Sequence, residues 1–262
     1  MSRRGWLAAF LIVGLQLFLS PSGLRSSDSI PPADLPSTPT YRFESPAPSA
    51  AELRSLFASE QIALLEKLNR ADRPSLPRQK ILVIPERWDL AELEYSPLPA
   101  AYLPAALQPK LLIVDLPGQV FGGYEYGRLV RWGPISSGAR DKPTLPGLYH
   151  LNWKSRARRS TFDSEWFMRW YYNFSNRAGE AFHAYDLPGY PASHACIRLL
   201  PRDARWLYEW GESWQLGAQP WEILATGTPV LILGQYAYGQ PPPWRSPDWL
   251  ARGIELPAEL FP

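Results

Sequence analysis

Cys196 is the only cysteine of the chain, and two of the three histidines, His183 and His194, lie within thirteen positions of it. A free thiol near pH 7 is only a few per cent thiolate, so a cysteine that attacks a carbonyl needs a neighbouring base or a positive field. An imidazole near pKa 6.5 can take a proton and return it at neutral pH. The stretch FHAYDLPGYPASHACIRL therefore suits a cysteine nucleophile served by an imidazole. The same residues also have ordinary roles. Cysteine is among the most often buried side chains, either histidine can be structural, and Arg198 can brace against Asp203. A zinc site would need the paired spacing of C-x-x-C or H-x-x-x-H, which one cysteine and scattered histidines do not supply. No metal or organic cofactor is implied.

The elements that must position these residues are strand-rich. Leu111 to Leu116, Val120 to Tyr126, Leu129 to Trp132 and Gly147 to Trp153 read as strands separated by Pro-Gly, Tyr-Gly and Gly-Ala punctuation, and Thr228 to Leu233 reads as a closing strand. Pro201 to Trp210 reads as a short helix with Ala204, Leu207 and Tyr208 on one face and Gly211 as its stop. Upstream, Ser49 and Glu52 form a capping-box signature. Leu53, Leu56, Phe57, Leu64 and Leu68 then keep to one face, which predicts a single helix of about five turns ending at Asp72 and Pro74. Ile81 to Ile84 alternates as a strand. A Pro-rich connector, 96–109, leads into the main domain, and 235–262 reads as a Pro/Trp-rich tail of irregular structure.

Length and charge bound the rest. With 262 residues, 27 Lys and Arg against 25 Asp and Glu, and no basic stripe, the chain suits one sizeable domain with appendages and not a nucleic-acid binder. Residues 1–20 resemble an export signal: Arg3 and Arg4 precede the apolar run Trp6 to Leu19, which is shorter than the ~20 residues of a spanning helix. Contact with a membrane is expected only through this segment, should it stay uncleaved. Ser2 to Leu7 loosely echoes a twin-arginine signal. Residues 21–48 are Pro/Ser-rich and read as a linker. An exported protein with one cysteine has no intrachain disulfide.

Ser193-His194-Ala195-Cys196-Ile197-Arg198-Leu199, with His183 upstream, resembles the S/T-H-G-C-(I/V)-(R/N) signature of the YkuD-type L,D-transpeptidase catalytic domain. Leu111 to Arg131, Pro134 to Tyr149, Phe167 to Phe174 and Gly227 to Ile232 are similar to that family's other segments, in its order, over 110–234. The segment 49–95 resembles the second half of a LysM module, through Leu68-Asn69 and Leu82-Val83-Ile84-Pro85, with the opening half missing. A plain helix-strand cap on the main domain fits it as well.

The resemblance implies a mainly β, sandwich-like catalytic domain with a short helix after the cysteine, located in the periplasm or cell envelope. It implies that Cys196 attacks the bond between the third residue of a peptidoglycan stem and terminal D-Ala, with His183 holding the thiolate and protonating the departing amine. The Ala195 and Cys196 N–H groups are then the oxyanion donors. Ser193 and His194 orient the turn, Arg198 takes a substrate carboxylate, and Met168, Trp170, Tyr171 and Tyr172 are candidates to wall the cleft, with at most two of the four touching substrate. The acyl group passes to a second stem, to the lysine of an envelope lipoprotein, or to water. Two alternatives keep the same residues: a non-catalytic peptidoglycan-binding protein, and a hydrolase of lipoprotein or 3→3 bonds. The family's glycines after His183 and before Cys196 are Ala184 and Ala195 here. Alanine resists positive φ, so the expectation is that the local backbone differs or that those glycines serve packing alone.

Overall fold

The structure, a computed structural model, describes residues 38–159, 167–219 and 221–260. The apolar run Trp6 to Leu19 and most of the Pro/Ser-rich stretch lie outside the described residues. Among the described residues no helix is long and apolar enough to cross a membrane.

The chain opens with strand β1 (Tyr41–Glu44), inside the stretch whose composition reads as linker. β1 pairs antiparallel with β2 (Leu82–Pro85), Arg42 opposite Ile84 and Phe43 opposite Val83. Between them lie two helices and not one. α1 (Ala50–Leu56) starts at the Ser49–Glu52 capping box and stops where Phe57 turns extended. α2 (Ser59–Asn69) restarts at Ala58, whose N–H donates to the Gln61 side chain at 2.8 Å. Phe57 packs against Trp88 at 5.6 Å between ring centroids, while Leu56 is left exposed, so the single apolar face read from the sequence is broken at this bend. Residues 41–85 thus form a strand-helix-helix-strand unit around Leu53, Ile62, Leu65, Leu76, Leu82 and Ile84.

The main domain adds β3 (Leu111–Asp115), β4 (Val120–Glu125), β5 (Arg128–Ser136), β6 (Gly147–His150), β7 (Lys154–Arg159), β8 (Phe167–Ser175), β9 (Glu180–Ala184) and β10 (Ile197–Leu199). α3 (Pro201–Trp210) follows, then a small hairpin of β11 (Gln215–Leu216) and β12 (Ile223–Ala225), and β13 (Pro229–Leu233). Nine strands form one sheet in the order β6-β13-β3-β4-β5-β10-β9-β8-β7. The sheet curls: Asn152 N–H donates to the Asn173 carbonyl and Asn173 N–H to that of Trp153, and Tyr149 meets Phe174 edge-on at 5.3 Å. The two layers of the sandwich-like core are therefore halves of a single sheet.

The two-residue period of a strand explains how the layers are filled. In β3, Leu112 and Val114 face inward with Phe121, Ile135, Phe182, Ile197, Leu199 and Ile232, while α3 closes this core with Ala204 and Leu207. Leu111 and Ile113 face the other way, onto Leu64, Leu68, Tyr95, Tyr102 and Trp132. Every residue of β3 is buried because the N-terminal unit and the segment after it, which carries Tyr95 and Tyr102, cover the outer face. The tail is more ordered than its composition suggests: α4 (Pro247–Arg252) forms, and Trp244 is wholly buried.

Arg70 ties these parts together. It is fully buried; its Nε donates to the Gly118 carbonyl at 2.9 Å and its Nη1 to the carbonyls of Lys67 and Leu68 at 2.6 and 3.0 Å. The guanidinium lies over the rings of Trp244 and Trp249 at 5.3 and 5.8 Å. Burial pulls its pKa down to about 9, which leaves it charged at neutral pH. Removing a buried, hydrogen-bonded charge strands its acceptors, so Arg70→Ala is expected to lower stability by about 3–5 kcal/mol in urea denaturation. Arg42→Ala, at an exposed ion pair with Glu44, should change it by less than about 1 kcal/mol.

Candidate active site

β10 runs parallel to β9 with Ile197 opposite Phe182 and Arg198 opposite His183. Residues opposite each other on neighbouring strands point to the same face. Phe182, Ala184, Ile197 and Leu199 point into the core. His183 and Arg198 point outward, and Cys196, two residues before Arg198, shares that face. All three line one cavity of about 230 Å³.

The turn that delivers Cys196 is fastened on both sides. Ser193 N–H and Ala192 N–H donate to the Ser137 carbonyl at 3.0 Å, and Ala139 N–H donates to that of Ser193 at 2.8 Å. The Ser193 hydroxyl donates to the Cys196 carbonyl. Thr144 is the pin that sequence reading missed: its Oγ1 accepts from Gly138 N–H and donates to the Ala195 carbonyl, both at 2.9 Å. Held this way, Ala195 takes φ +70°, the left-handed conformation that favours glycine. Alanine at this position therefore adopts the left-handed conformation itself. Ala184 sits in regular β9 pairing, where alanine needs no such conformation. The N–H groups of Ala195 and Cys196 take no part in the backbone hydrogen bonds of the described turns and loops.

The far wall comes from β8. Of the four candidates there, Met168 and Tyr171 line the cavity and Trp170 and Tyr172 do not; Asn173, not a candidate from sequence, joins them. The cause is a β-bulge. Arg169 pairs with Ala184 and Tyr172 with Phe182, so Trp170 and Tyr171 together oppose the single residue His183, with Trp170 at φ +55°. The extra residue inverts the alternation. Trp170 packs against Tyr208 at 5.4 Å, and Tyr172, fully buried, shares its hydroxyl with Ser213 at 3.0 Å. No glycine or proline in FMRWYYNF announces the bulge.

His194 is exposed and lines the cavity, as does Ser193. Arg198 is not braced by Asp203. That carboxylate belongs to Arg131, whose Nε and Nη2 donate to Oδ1 at 3.0 and 2.6 Å. Arg198 instead lies 4.6 Å over the Tyr185 ring. Trp153, just before β7, and Arg158, within it, complete the opening, and sequence reading found neither as a site residue.

Burial sets the protonation of the pair. His183 is 5% exposed, and desolvation pulls its pKa down to about 4, with Arg198 lowering it further and a backbone hydrogen bond to Ala184 opposing. Its Nδ1 lies 3.2 Å from the Ala184 carbonyl. A carbonyl only accepts, so Nδ1 carries the proton and Nε2 is left as the basic nitrogen. The Cys196 thiol is pushed up by burial, against a backbone hydrogen bond from Ala181. At neutral pH the site holds a neutral thiol beside a neutral imidazole.

Residues 109–232 match the family model of the L,D-transpeptidase (YkuD) catalytic domain. Among solved structures, the chain is similar to an L,D-transpeptidase from Stackebrandtia nassauensis, at 25% identity over 50% of this chain and 58% of that one, with TM-score 0.40. It is also similar to one from Mycobacterium smegmatis, at 19% identity over 48% and 59% of the two chains, TM-score 0.39. A third, from Mycobacterium tuberculosis H37Rv, aligns at 19% identity over 59% and 72%, TM-score 0.38. The chain thus spans under two thirds of the first two relatives. No curated protein matches it.

The two alanines are expected to answer glycine in opposite senses. Ala195→Gly relieves a left-handed residue and should leave the thermal midpoint unchanged or higher. Ala184→Gly loosens a strand and should cost about 0.5–1 kcal/mol. Calorimetric melting of both variants tests this, and a loss at Ala195→Gly as large as that at Ala184→Gly would contradict the assignment.

Proposed function

We propose, from the premise that residues 109–232 form an L,D-transpeptidase catalytic domain, that the chain is a cysteine acyltransferase acting on peptidoglycan stem tetrapeptides. The observation that carries this reading is the placement of Cys196 and His183 on one face of two paired strands, opening into one cavity. Cys196 Sγ attacks the carbonyl joining the third stem residue to terminal D-Ala. His183 Nε2 takes the thiol proton during the attack and returns it to the departing D-Ala amine, so the C–N bond breaks as a thioester is left on Cys196. The resting neutral pair fits a general-base start better than a standing thiolate. The developing oxyanion is met by the N–H groups of Ala195 and Cys196; a donor of this kind is typically worth ~2.7–4 kcal/mol.

Ser193, His194 and Thr144 position the turn in this reading, and Arg198 binds a carboxylate of the donor through its planar fork. The thioester is resolved by the amine of a second stem, by a lysine of an envelope lipoprotein, or by water. The work is done in the cell envelope, after export directed by residues 1–20.

Incubation with tetrapeptide muropeptides, read by mass spectrometry, is expected to show D-Ala release with an acyl adduct on Cys196, and a 3→3 dimer where a second stem accepts. Cys196→Ala should abolish all three. Folded protein that yields neither product nor adduct would overturn the enzyme reading. The state of the pair has its own signature. Because burial holds the thiol above its ordinary range, alkylation of Cys196 by iodoacetamide should stay slow at pH 7 and climb only in alkaline solution. D-Ala release should rise as His183 loses its proton, with an acid limb near pH 4. Rapid alkylation at pH 6 would show a thiolate–imidazolium pair instead.

A further inference from the structure

The cavity holds two arginines and, among its described lining residues, no carboxylate. Arg198 enters from β10 and is stacked on Tyr185. Arg158 enters from β7, the edge strand, and its guanidinium lies 5.0 Å from the Trp153 ring centre and 5.5 Å from that of Tyr171. Neither makes an ion pair among the described residues; the one hydrogen bond recorded for Arg198 is a long one, 3.5 Å to the Asp186 carbonyl. Other arginines of the domain do find carboxylates: Arg131 on Asp203, Arg202 on Glu66 and Arg205 on Glu209. Two cations stacked on aromatic rings are held in place and still have their hydrogen-bond donors to spend.

We infer that Arg158 and Arg198 form a two-point carboxylate clamp that selects a donor peptide carrying a carboxylate on each side of the scissile amide. This rests on the function proposed above and adds Arg158, which that reading does not use. The spacing fits such a donor. β7 and β10 are three strand intervals apart, with β8 and β9 between them, or about 14 Å along the hydrogen-bonding direction. That is the reach of about four extended residues. A tetrapeptide laid across β9 and β8 therefore passes over Cys196 and His183 with one acidic group toward each arginine. The stem's own chemistry supplies these groups, through the terminal D-Ala carboxylate and the free carboxylates of the preceding residues. Arg158 is a specificity-determining residue here and takes no part in proton transfer.

The test uses the full-length Cys196→Ala protein, which binds donor without turning it over, and calorimetric titration with two synthetic stem tetrapeptides. One has free carboxylates; the other is amidated at all of them. The free stem is expected to bind about a hundredfold more tightly than the amidated one, about tenfold for each of two charge-assisted hydrogen bonds to carboxylates. Adding either Arg158→Gln or Arg198→Gln should remove about tenfold of that preference, with little effect on affinity for the amidated stem. Equal losses for both stems, or none for either, would overturn the clamp. Should Arg158→Gln melt early, Arg158→Lys, which keeps the charge and loses the fork, is expected to show a partial loss confined to the free stem; an unchanged preference there would also overturn it. Wild-type D-Ala release is measured alongside. Turnover with no carboxylate preference refutes the clamp and leaves the enzyme reading standing, whereas preference without turnover does the reverse.

Discussion

The register between β9 and β10 is the constraint on which the site depends. Because Arg198 lies opposite His183, three polar side chains share the outer face, and Phe182, Ile197 and Leu199 are buried behind them. A slip of one residue would reverse every side chain of β10, turning apolar groups to solvent and the thiol face to the core. The hydrophobic effect thus enforces the pairing of nucleophile and base from behind. The burial that fixes the register also desolvates the imidazole and the thiol, so one packing arrangement sets both their distance and their charge state.

Much of the fold was legible before any coordinates. The strands around Leu111, Val120, Leu129, Gly147 and Val230 and the helix at Pro201 follow from alternation, punctuation and a proline-start, glycine-stop pattern, and they stand where expected. What escaped was non-local. β1 hid in a Pro/Ser-rich stretch because a four-residue strand leaves little signal, and its pairing with β2 lies about forty residues downstream. The long helix broke at Phe57 because Trp88 offers that ring a partner, which no helical wheel contains.

The site shows the same division. Cys196, His183, His194 and Arg198 stood out by type and spacing, since the single cysteine and two of the three histidines of the chain fall together in this stretch. Which two of Met168, Trp170, Tyr171 and Tyr172 face the cavity was not legible, because the bulge opposite His183 decides it, turning Tyr171 and then Asn173 to the cavity and Trp170 and Tyr172 away. Arg158 and Thr144 were invisible because they act from distant strands and loops, Arg158 lining the cavity and Thr144 pinning the turn beside it. Local chemistry is written in a sequence at short range, whereas the walls of a cleft are a property of sheet order.

Arg70 carries a consequence for the order in which the molecule can be assembled. Its contacts join the end of α2 to Gly118 and then to Trp244 and Trp249, more than 170 positions further along the chain. Loop closure over such a distance costs chain entropy before any of these contacts can form. A chain emerging N-terminus first from a ribosome or a translocation pore therefore holds this arginine with the aromatic half of its enclosure missing until Trp244 and Trp249 have followed it out. The N-terminal unit reaches its final packing only with the help of residues made much later, and a product cut short before Trp244 would leave the guanidinium without its ring contacts.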